Sequence, residues 1–215
     1  MSVLVSPSIL SADFTKLREE IESVERAGAD FLHLDVMDGC FVPNLTFGPI
    51  IVRAIRRLTA LPLDAHLMIV DPLKYIKDFA DAGADIIIFH PEARSPIEET
   101  LAEIKKYGKK AGLAINPPTP VSAIGEYLSE LEWILVMSVN PGFAGQKFMP
   151  EVLPKVEELA RLKREKGYGY RIAIDGGING ETAQLAKNAG AEVLVSASFI
   201  FSSADRRKAI TTLKN

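Results

Sequence analysis

The chain has 215 residues, a formal net charge of −3, 47 % apolar residues and 25 % charged residues. This balance is too apolar for a disordered protein, gives no basic surface for nucleic acid, and includes no apolar run near the roughly 20 residues that a membrane helix needs. The single cysteine, Cys40, can form no intrachain disulfide, and the N-terminal segment lacks the basic region of a signal peptide. These features predict a cytoplasmic protein with no nucleic-acid or membrane partner.

Eight short apolar runs divide the chain at regular intervals. They lie near residues 3–8, 31–36, 63–68, 85–90, 111–116, 133–138, 171–175 and 192–196. Runs of Val, Ile and Leu without polar alternation are typical of parallel strands that are covered on both faces.

A repeated phrase, Ala-Gly-Ala followed by Asp or Glu, precedes three of these runs and begins at Ala27, Ala82 and Ala189. Glycine is favoured just after a helix, because it adopts positive φ without a Cβ clash. Each phrase therefore predicts the end of a helix, a tight loop and then a buried strand.

Amphipathic segments separate the apolar runs. The segment from Thr15 to Ala27 has apolar residues spaced i, i+4 and i+7, which predicts a helix with one buried face. A second helix is predicted to begin with Ser95 as its N-cap and Pro96 as its first residue. A third is predicted from Glu151 to about Lys166.

The alternation of strands and helices predicts parallel βαβ units. Eight such units predict an α/β fold with one (β/α)8 TIM barrel, a single domain over residues 1–215. The alternative is an open, doubly wound sheet. That fold usually has a glycine-rich turn after its first strand, and the segment Ser8 to Asp13 contains no glycine.

In such a barrel the active site lies at the C-terminal ends of the strands. All three histidines, His33, His66 and His90, are predicted to lie at such ends. Residues two apart on a strand share a face, so His33 and Asp35 are expected to meet His66 at the barrel mouth, with Asp175 opposite. Two imidazoles and two carboxylates suit a divalent transition metal.

Two other groups at strand ends have two interpretations each. His90 is either a structural histidine or a hydrogen-bonding partner of the metal ligands. Met37, Met68 and Met137 either fill the core or form an apolar wall that keeps water away from a charged intermediate.

Glycine-rich loops follow the sixth and seventh predicted strands, and Ser196-Ala197-Ser198 follows the eighth and is predicted to open the last helix. Loops after strands seven and eight are the usual phosphate site of such barrels. The alternative is that these glycines only make tight turns. Because no Lys or Arg is required, a small phosphate ester is favoured over a nucleotide.

The segment from His33 to Pro49 resembles the signature of the ribulose-phosphate 3-epimerase family. The similarity extends from residue 6 to about residue 201. It includes the segments Ser6 to Asp13, Asp64 to Met68, Met137 to Phe143 and Asp175 to Ile178.

This resemblance implies the interconversion of D-ribulose 5-phosphate and D-xylulose 5-phosphate by a homo-oligomer, with proton abstraction and return at C3 of the sugar through a 2,3-enediolate. It implies one divalent metal ion per subunit, Zn, Fe, Mn or Co, held by His33, Asp35, His66 and Asp175. It assigns Asp35 and Asp175 as the acid–base pair.

The resemblance also implies a set of substrate contacts. They are Ser8, His66, Gly142, Phe143, Ala144, Gly145, Asp175, Gly176, Gly177, Ala197 and Ser198. One departure is visible, because the family commonly has Gly-Ser where this chain has Ala197-Ser198, which adds a Cβ beside the expected phosphate.

Three alternative functions are considered. The nearest is epimerisation of another ketose phosphate, such as D-allulose 6-phosphate. A second is a phosphate-binding decarboxylase or lyase; such enzymes tend to have Lys two residues after an Asp at a strand end, where this chain has Met37 after Asp35. A third is a barrel whose catalysis has decayed, which the complete set of metal-binding side chains disfavours.

Overall fold

Eight parallel β-strands form one sheet in the computed structural model, which describes residues 3–215. Each strand overlaps one of the predicted apolar runs. The strands are β1 Leu4–Pro7, β2 Leu32–Met37, β3 Leu63–Met68, β4 Ile86–Phe89, β5 Lys110–Ile115, β6 Trp133–Met137, β7 Arg171–Asp175 and β8 Val193–Ser196. Their order in the sheet is β1-β8-β7-β6-β5-β4-β3-β2.

The sheet closes between β1 and β2. Ser8, which follows β1, forms a parallel bridge with His33, the second residue of β2. This bridge joins the two ends of the strand order. The predicted (β/α)8 barrel is therefore confirmed, and the open doubly wound sheet is excluded.

Helices alternate with the strands. They are α1 Leu17–Arg26, α2 Pro49–Arg56, α3 Ile76–Ala82, α4 Ile97–Lys106, α5 Leu153–Lys166, α6 Gly180–Ala189, α7 Ser198–Phe201 and α8 Arg206–Lys214. After β5, a 3-10 helix over Val121–Glu130 takes the place of an α-helix. Within residues 3–215, every helix is too short or too polar to cross a bilayer.

The three repeated phrases end helices as predicted. Gly28, Gly83 and Gly190 have φ values of 94°, 104° and 109°. These are left-handed conformations that favour glycine. The chain can therefore leave each helix in a tight loop and enter the next strand.

The predicted start of the helix after β4 is wrong by one residue. The helix begins at Ile97, and Pro96 rather than Ser95 is the N-cap residue. The Ser95 hydroxyl instead donates to Asp71 Oδ1 over 2.6 Å and accepts from Leu73 N over 3.1 Å. The side chain predicted to cap the helix is therefore bound to the preceding βα unit.

The other two predicted helices and the last one also differ at their ends. The predicted helices from Thr15 and from Glu151 each begin as a short 3-10 turn before α1 and α5. Ala197 and Ser198 open the four-residue α7 and not the last helix. The last helix, α8, has its own cap, because the Asp205 side chain accepts from Lys208 N over 2.9 Å.

Side chains alternate between the inside and the outside of the barrel. On β6, Trp133 and Leu135 belong to an apolar cluster inside the barrel, whereas Ile134 and Val136 pack among the helices. On β2 and β3 four of the inside positions are polar. They are His33, Asp35, Asp64 and His66, and each is at most 4 % exposed.

Candidate metal and active site

The four predicted metal-binding side chains come together at one point. One ligand atom from each of His33, Asp35, His66 and Asp175 lies within 4.8 Å of the others. The register of β2 and β3 aligns Asp35 with His66, and Asp175 is the last residue of β7. The expectation that these side chains meet, made from the two-residue spacing on the strands, therefore agrees with the geometry of this group.

His33 reaches the group from an unexpected position. It is the second residue of β2 and not at the C-terminal end of the strand. Strands of a barrel are tilted and staggered, so His33 is level with Ser8, which follows the end of β1. The stagger brings the two side chains into one layer.

Two ring nitrogens of this group are free to bind a cation. His33 Nε2 and His66 Nδ1 are buried and have no hydrogen-bond partner among residues 3–215. Both face Asp35 Oδ1, at 3.3 and 3.4 Å, and His33 Nε2 is 3.8 Å from Asp175 Oδ2. Buried imidazole nitrogens and carboxylate oxygens that converge without mutual hydrogen bonds are suitable ligands for a divalent transition metal.

Asp64 supports this group and was missed by the sequence-based site prediction. Its Oδ1 contacts His33 Nδ1, and its Oδ2 accepts a 2.7 Å hydrogen bond from the Ser6 hydroxyl. A carboxylate on the outer nitrogen of a metal-ligating histidine fixes the ring and its tautomer. Asp64 lies two residues before His66 on β3. Because residues two apart on a strand share a face, this spacing indicates that Asp64 also points into the barrel.

The two predicted acid–base residues differ strongly in acidity. Burial raises the pKa of Asp35, but His33 and His66 outweigh burial and hold that pKa well below its usual range. Burial and the nearby charge of Asp35 raise the pKa of Asp175 to about 7. Without a metal, one carboxyl is therefore ionised while the other can hold a proton near neutral pH.

The histidines also differ in acidity. Burial lowers the pKa of His33, but the carboxylates of Asp64 and Asp35 outweigh burial and hold it well above its usual value. Burial lowers the pKa of His66 to about 3, although the Asp35 carboxylate acts in the opposite direction. His66 is therefore neutral at physiological pH, as a metal ligand must be.

A cavity of about 430 Å³ opens above the four side chains. Every predicted substrate-contacting residue lines it except His66, which is buried beneath it. Among residues 3–215, the charged side chains that line the cavity are those of Asp35 and Asp175. An anionic ligand there would be bound by main-chain N–H groups and not by Lys or Arg.

The glycines after β7 are required by the turn itself. Gly176 and Gly177 have φ values of +122° and +64°. A Cβ on Gly176 would lie 2.6 Å from Val139 Cγ2, and one on Gly177 would lie 2.4 Å from Phe148 N. Both glycines are therefore needed for the tight turn, which is compatible with a second role in binding.

Main-chain donors are available beside this turn. Within the described chain, the N–H groups of Gly177, Ala197 and Ser198 donate no hydrogen bond. Ala197 has a φ of −103°, outside the left-handed region that favours glycine. Its φ therefore gives no reason why this position should require glycine.

The loop after β6 folds over one side of the cavity. Asn44, in the loop after β2, donates from Nδ2 to Gly142 O over 2.7 Å. Gln146 Nε2 donates to Asn140 O and Phe143 O over 2.7 and 2.9 Å. The Phe143 ring, 55 % exposed, lines the cavity. The Asn44 hydrogen bond links the loops that follow β2 and β6, and the Gln146 hydrogen bonds lie within the loop after β6.

The three methionines combine both interpretations made from the sequence. Met37, Met68 and Met137 are buried, and Met37 and Met68 pack with Val42 in a small apolar cluster. All three also line the cavity beside Asp35 and Asp175. They fill space and present an apolar surface to any bound ligand.

Comparison with known proteins gives consistent matches along the chain. A family model described as the ribulose-phosphate 3 epimerase family matches residues 4–201. A ribulose-phosphate 3-epimerase of Bacillus subtilis is 52 % identical over 213 residues, covering 99 % of this chain and 98 % of the relative. A ribulose-phosphate 3-epimerase of Synechocystis is 50 % identical, covering 100 % and 94 %.

Solved structures of lower sequence identity share the fold. KGPDC from Streptococcus mutans superposes with a TM-score of 0.72 at 14 % identity, covering 100 % of this chain and 96 % of the other. A 3-hexulose-6-phosphate synthase from Salmonella typhimurium has a TM-score of 0.67 at 20 % identity, covering 100 % and 97 %. These likenesses concern the barrel alone.

Proposed function

The chain belongs to the ribulose-phosphate 3-epimerase family, and from that premise we propose that Asp35 and Asp175 are the acid–base pair that interconverts D-ribulose 5-phosphate and D-xylulose 5-phosphate. Epimerisation next to a ketone removes a proton from one face of C3 and returns one to the other face. It needs two groups of different protonation state on opposite sides of the sugar. The convergence of the two aspartates from β2 and β7 at the cavity floor carries this proposal.

The acidity of the pair supports the division of roles. Without a metal, the low pKa of Asp35 and the raised pKa of Asp175 leave one anion and one neutral acid, the two protonation states that proton abstraction and return at C3 require. In the reverse reaction the roles exchange. Ser8 donates a 2.5 Å hydrogen bond to Asp35 Oδ2 and holds that carboxylate in place.

His33, Asp35, His66 and Asp175 would hold one divalent ion, Zn, Fe, Mn or Co, because their donor atoms fit such a cation. The bound ion would supply positive charge beside the two oxygens of the 2,3-enediolate on which negative charge develops. Asp64 orients His33 for this purpose.

The walls of the cavity complete the site. Gly177, Ala197 and Ser198 would bind the substrate phosphate through their free N–H groups, and Gly142 to Gly145 would cover the sugar. The methionines would exclude water from the charged intermediate. The absence of a lysine from the cavity lining of the described chain disfavours the decarboxylase or lyase alternative.

We also propose that residues 1–215 form a single domain that assembles into a homo-oligomer. The C-terminal helix binds the start of the barrel, since Lys214 Nζ contacts Gly28 O at 2.8 Å and Asp30 Oδ2 at 2.7 Å. Leu45 and Ile50 are 73 % and 79 % exposed, as apolar residues of an interface would be in a separated subunit. Light scattering of wild type and Ile50→Glu tests the assembly.

Turnover assays on D-ribulose 5-phosphate and D-allulose 6-phosphate, combined with metal analysis of the purified protein, test the proposed substrate. We expect about one divalent ion per chain and the higher kcat/KM on the five-carbon sugar. A much higher kcat/KM on the six-carbon sugar would reject the proposed substrate but not the acid–base pair.

A further inference from the structure

His66 has a second partner outside the four metal-binding side chains. Its Nδ1 faces Asp35, and its Nε2 lies 2.8 Å from Nε2 of His90, the residue that directly follows β4. Both histidines are completely buried. Two neutral imidazoles at this distance form a hydrogen bond only when one donates and the other accepts.

The direction of this hydrogen bond decides whether His66 can bind a metal. If His66 donates from Nε2, its Nδ1 carries a lone pair that faces Asp35 and the cation site. If His90 donates instead, the hydrogen of His66 is on Nδ1 and no lone pair is available there. The two tautomers therefore differ in metal binding, although the ring positions are the same.

Glu92 favours the first arrangement. Its Oε2 lies 3.5 Å from His90 Nδ1. A carboxylate at this point is stabilised by a hydrogen on His90 Nδ1 and repelled by a lone pair there. With its hydrogen on Nδ1, His90 can only accept at Nε2, and so His66 must donate.

The surroundings keep Glu92 ionised and in place. Burial raises the pKa of Glu92, but the nearby His90 ring and a hydrogen bond from Thr119 outweigh burial and lower it to about 2. The loop that presents Thr119 is held by Lys155, whose Nζ donates to Asn116 O, Pro117 O and Thr119 O over 2.8, 2.6 and 2.6 Å.

We propose that His90 and Glu92 are positioning residues that set the tautomer of His66 and keep its Nδ1 ready for the metal. The inference rests on the proposed metal site. Of the two interpretations of His90 made from the sequence, it favours the hydrogen-bonding partner of the metal ligands over the structural histidine. It also gives Glu92, near the surface, a part in that role. Phe41 supports the arrangement, because its ring lies 5.0 Å from the His90 ring and covers it.

The test compares Glu92→Gln and His90→Gln with wild type and with Glu99→Gln, a control at an exposed glutamate of the neighbouring helix α4. Long-range 1H–15N NMR spectra of the metal-free protein report which nitrogen of His66 carries the hydrogen. Competition with a chelator gives the dissociation constant for Zn²⁺. Far-UV circular dichroism checks that each variant is folded.

In wild type and Glu99→Gln we expect the hydrogen on His66 Nε2. In Glu92→Gln and His90→Gln we expect a mixture of tautomers and Zn²⁺ affinity reduced about 10–100-fold, as for other partners of metal-ligating histidines. Should His90→Gln fail to fold, Glu92→Gln still decides, because it retains the shape of the side chain.

Two results would overturn the proposal, and they are distinguishable. If folded Glu92→Gln has the wild-type tautomer and Zn²⁺ affinity, the positioning role is wrong but the metal site stands. If wild type itself binds no divalent ion, both the metal site and the positioning role are wrong.

Discussion

Asp35 and Asp175 approach each other from β2 and β7, with a ligand oxygen of each within 4.8 Å of the other, and their environments shift their pKa values in opposite directions. His33 Nε2 faces both carboxylates, at 3.3 and 3.8 Å. Two carboxyls so close cannot both ionise freely unless positive charge lies beside them. The same arrangement therefore provides an acid–base pair and a binding site for a cation.

Replacing either aspartate by asparagine removes a group that must exchange a proton with C3. We expect Asp35→Asn and Asp175→Asn each to lower kcat by at least about 100-fold, the lower range for loss of general acid–base catalysis. A coupled assay for D-xylulose 5-phosphate measures this. Asp78→Asn, at an exposed position of α3, is the control and should retain wild-type kcat. A variant at Asp35 or Asp175 with near-normal kcat would exclude that residue from the pair.

The raised pKa of Asp175 predicts a pH-dependent stability of the metal-free protein. Its pKa is about 7 in the folded chain and about 3.9 in an unfolded chain. Between these values the folded state holds a proton that the unfolded state has released. The contribution of Asp175 to the free energy of unfolding therefore falls as pH rises from about 4 to about 7, by at most about 1.4 kcal/mol per pKa unit.

His66 acts in the opposite direction, because its pKa is lowered to about 3 in the folded chain, so its contribution rises with pH up to about 6.5. The informative quantity is thus the difference between Asp175→Asn and wild type. In the presence of a chelator, urea unfolding should show the variant gaining stability relative to wild type between about pH 4 and about pH 7, the range set by the two pKa values of Asp175. A difference that does not change with pH would contradict the raised pKa of Asp175.

Two glycines near the cavity form a matched pair for substitution. Gly145 and Gly177 both have positive φ, +77° and +64°. A Cβ on Gly145 meets no atom of the described residues within 4 Å, whereas one on Gly177 meets the backbone of Phe148. Gly145→Ala should therefore cost about 1–2 kcal/mol from its left-handed conformation, and Gly177→Ala should cost more. Thermal unfolding measures both, and equal losses would contradict the close approach at Gly177.

Ala197 tests whether the departure from the common family pattern matters. Its φ of −103° lies outside the left-handed region that favours glycine, and the main-chain N–H group is present in both residues, so Ala197→Gly should leave KM for D-ribulose 5-phosphate nearly unchanged. The added backbone freedom should lower stability by about 0.5–1 kcal/mol. Steady-state kinetics and thermal unfolding check the two effects. A large decrease in KM would indicate that the alanine Cβ obstructs the phosphate.

The residues that sequence predicted best are those set by local spacing. The apolar runs gave the strands, and the two-residue spacing of His33 and Asp35 put both on one face. Register is not local. The alignment of His33 with Asp64 across β2 and β3 depends on how two strands pair, so the support that Asp64 gives to His33 became apparent only in the folded chain.

The predicted start of the helix after β4 is wrong for a similar reason. Ser95 has a side chain that is common at an N-cap, but its hydroxyl donates a hydrogen bond to Asp71, 24 residues away in the sequence. A long-range partner competes with the local capping interaction, and no short sequence pattern contains that information. The contact of His66 with His90 is also between strands, which is why both interpretations of His90 were compatible with the sequence.

Solvent hydrogen exchange is the most direct measurement of the proposed acid–base pair. Metal-loaded protein should convert D-ribulose 5-phosphate in D₂O to D-xylulose 5-phosphate that carries deuterium at C3, and Asp35→Asn and Asp175→Asn should form little labelled product. Product formed at the normal rate without deuterium at C3 would contradict proton exchange through the two aspartates.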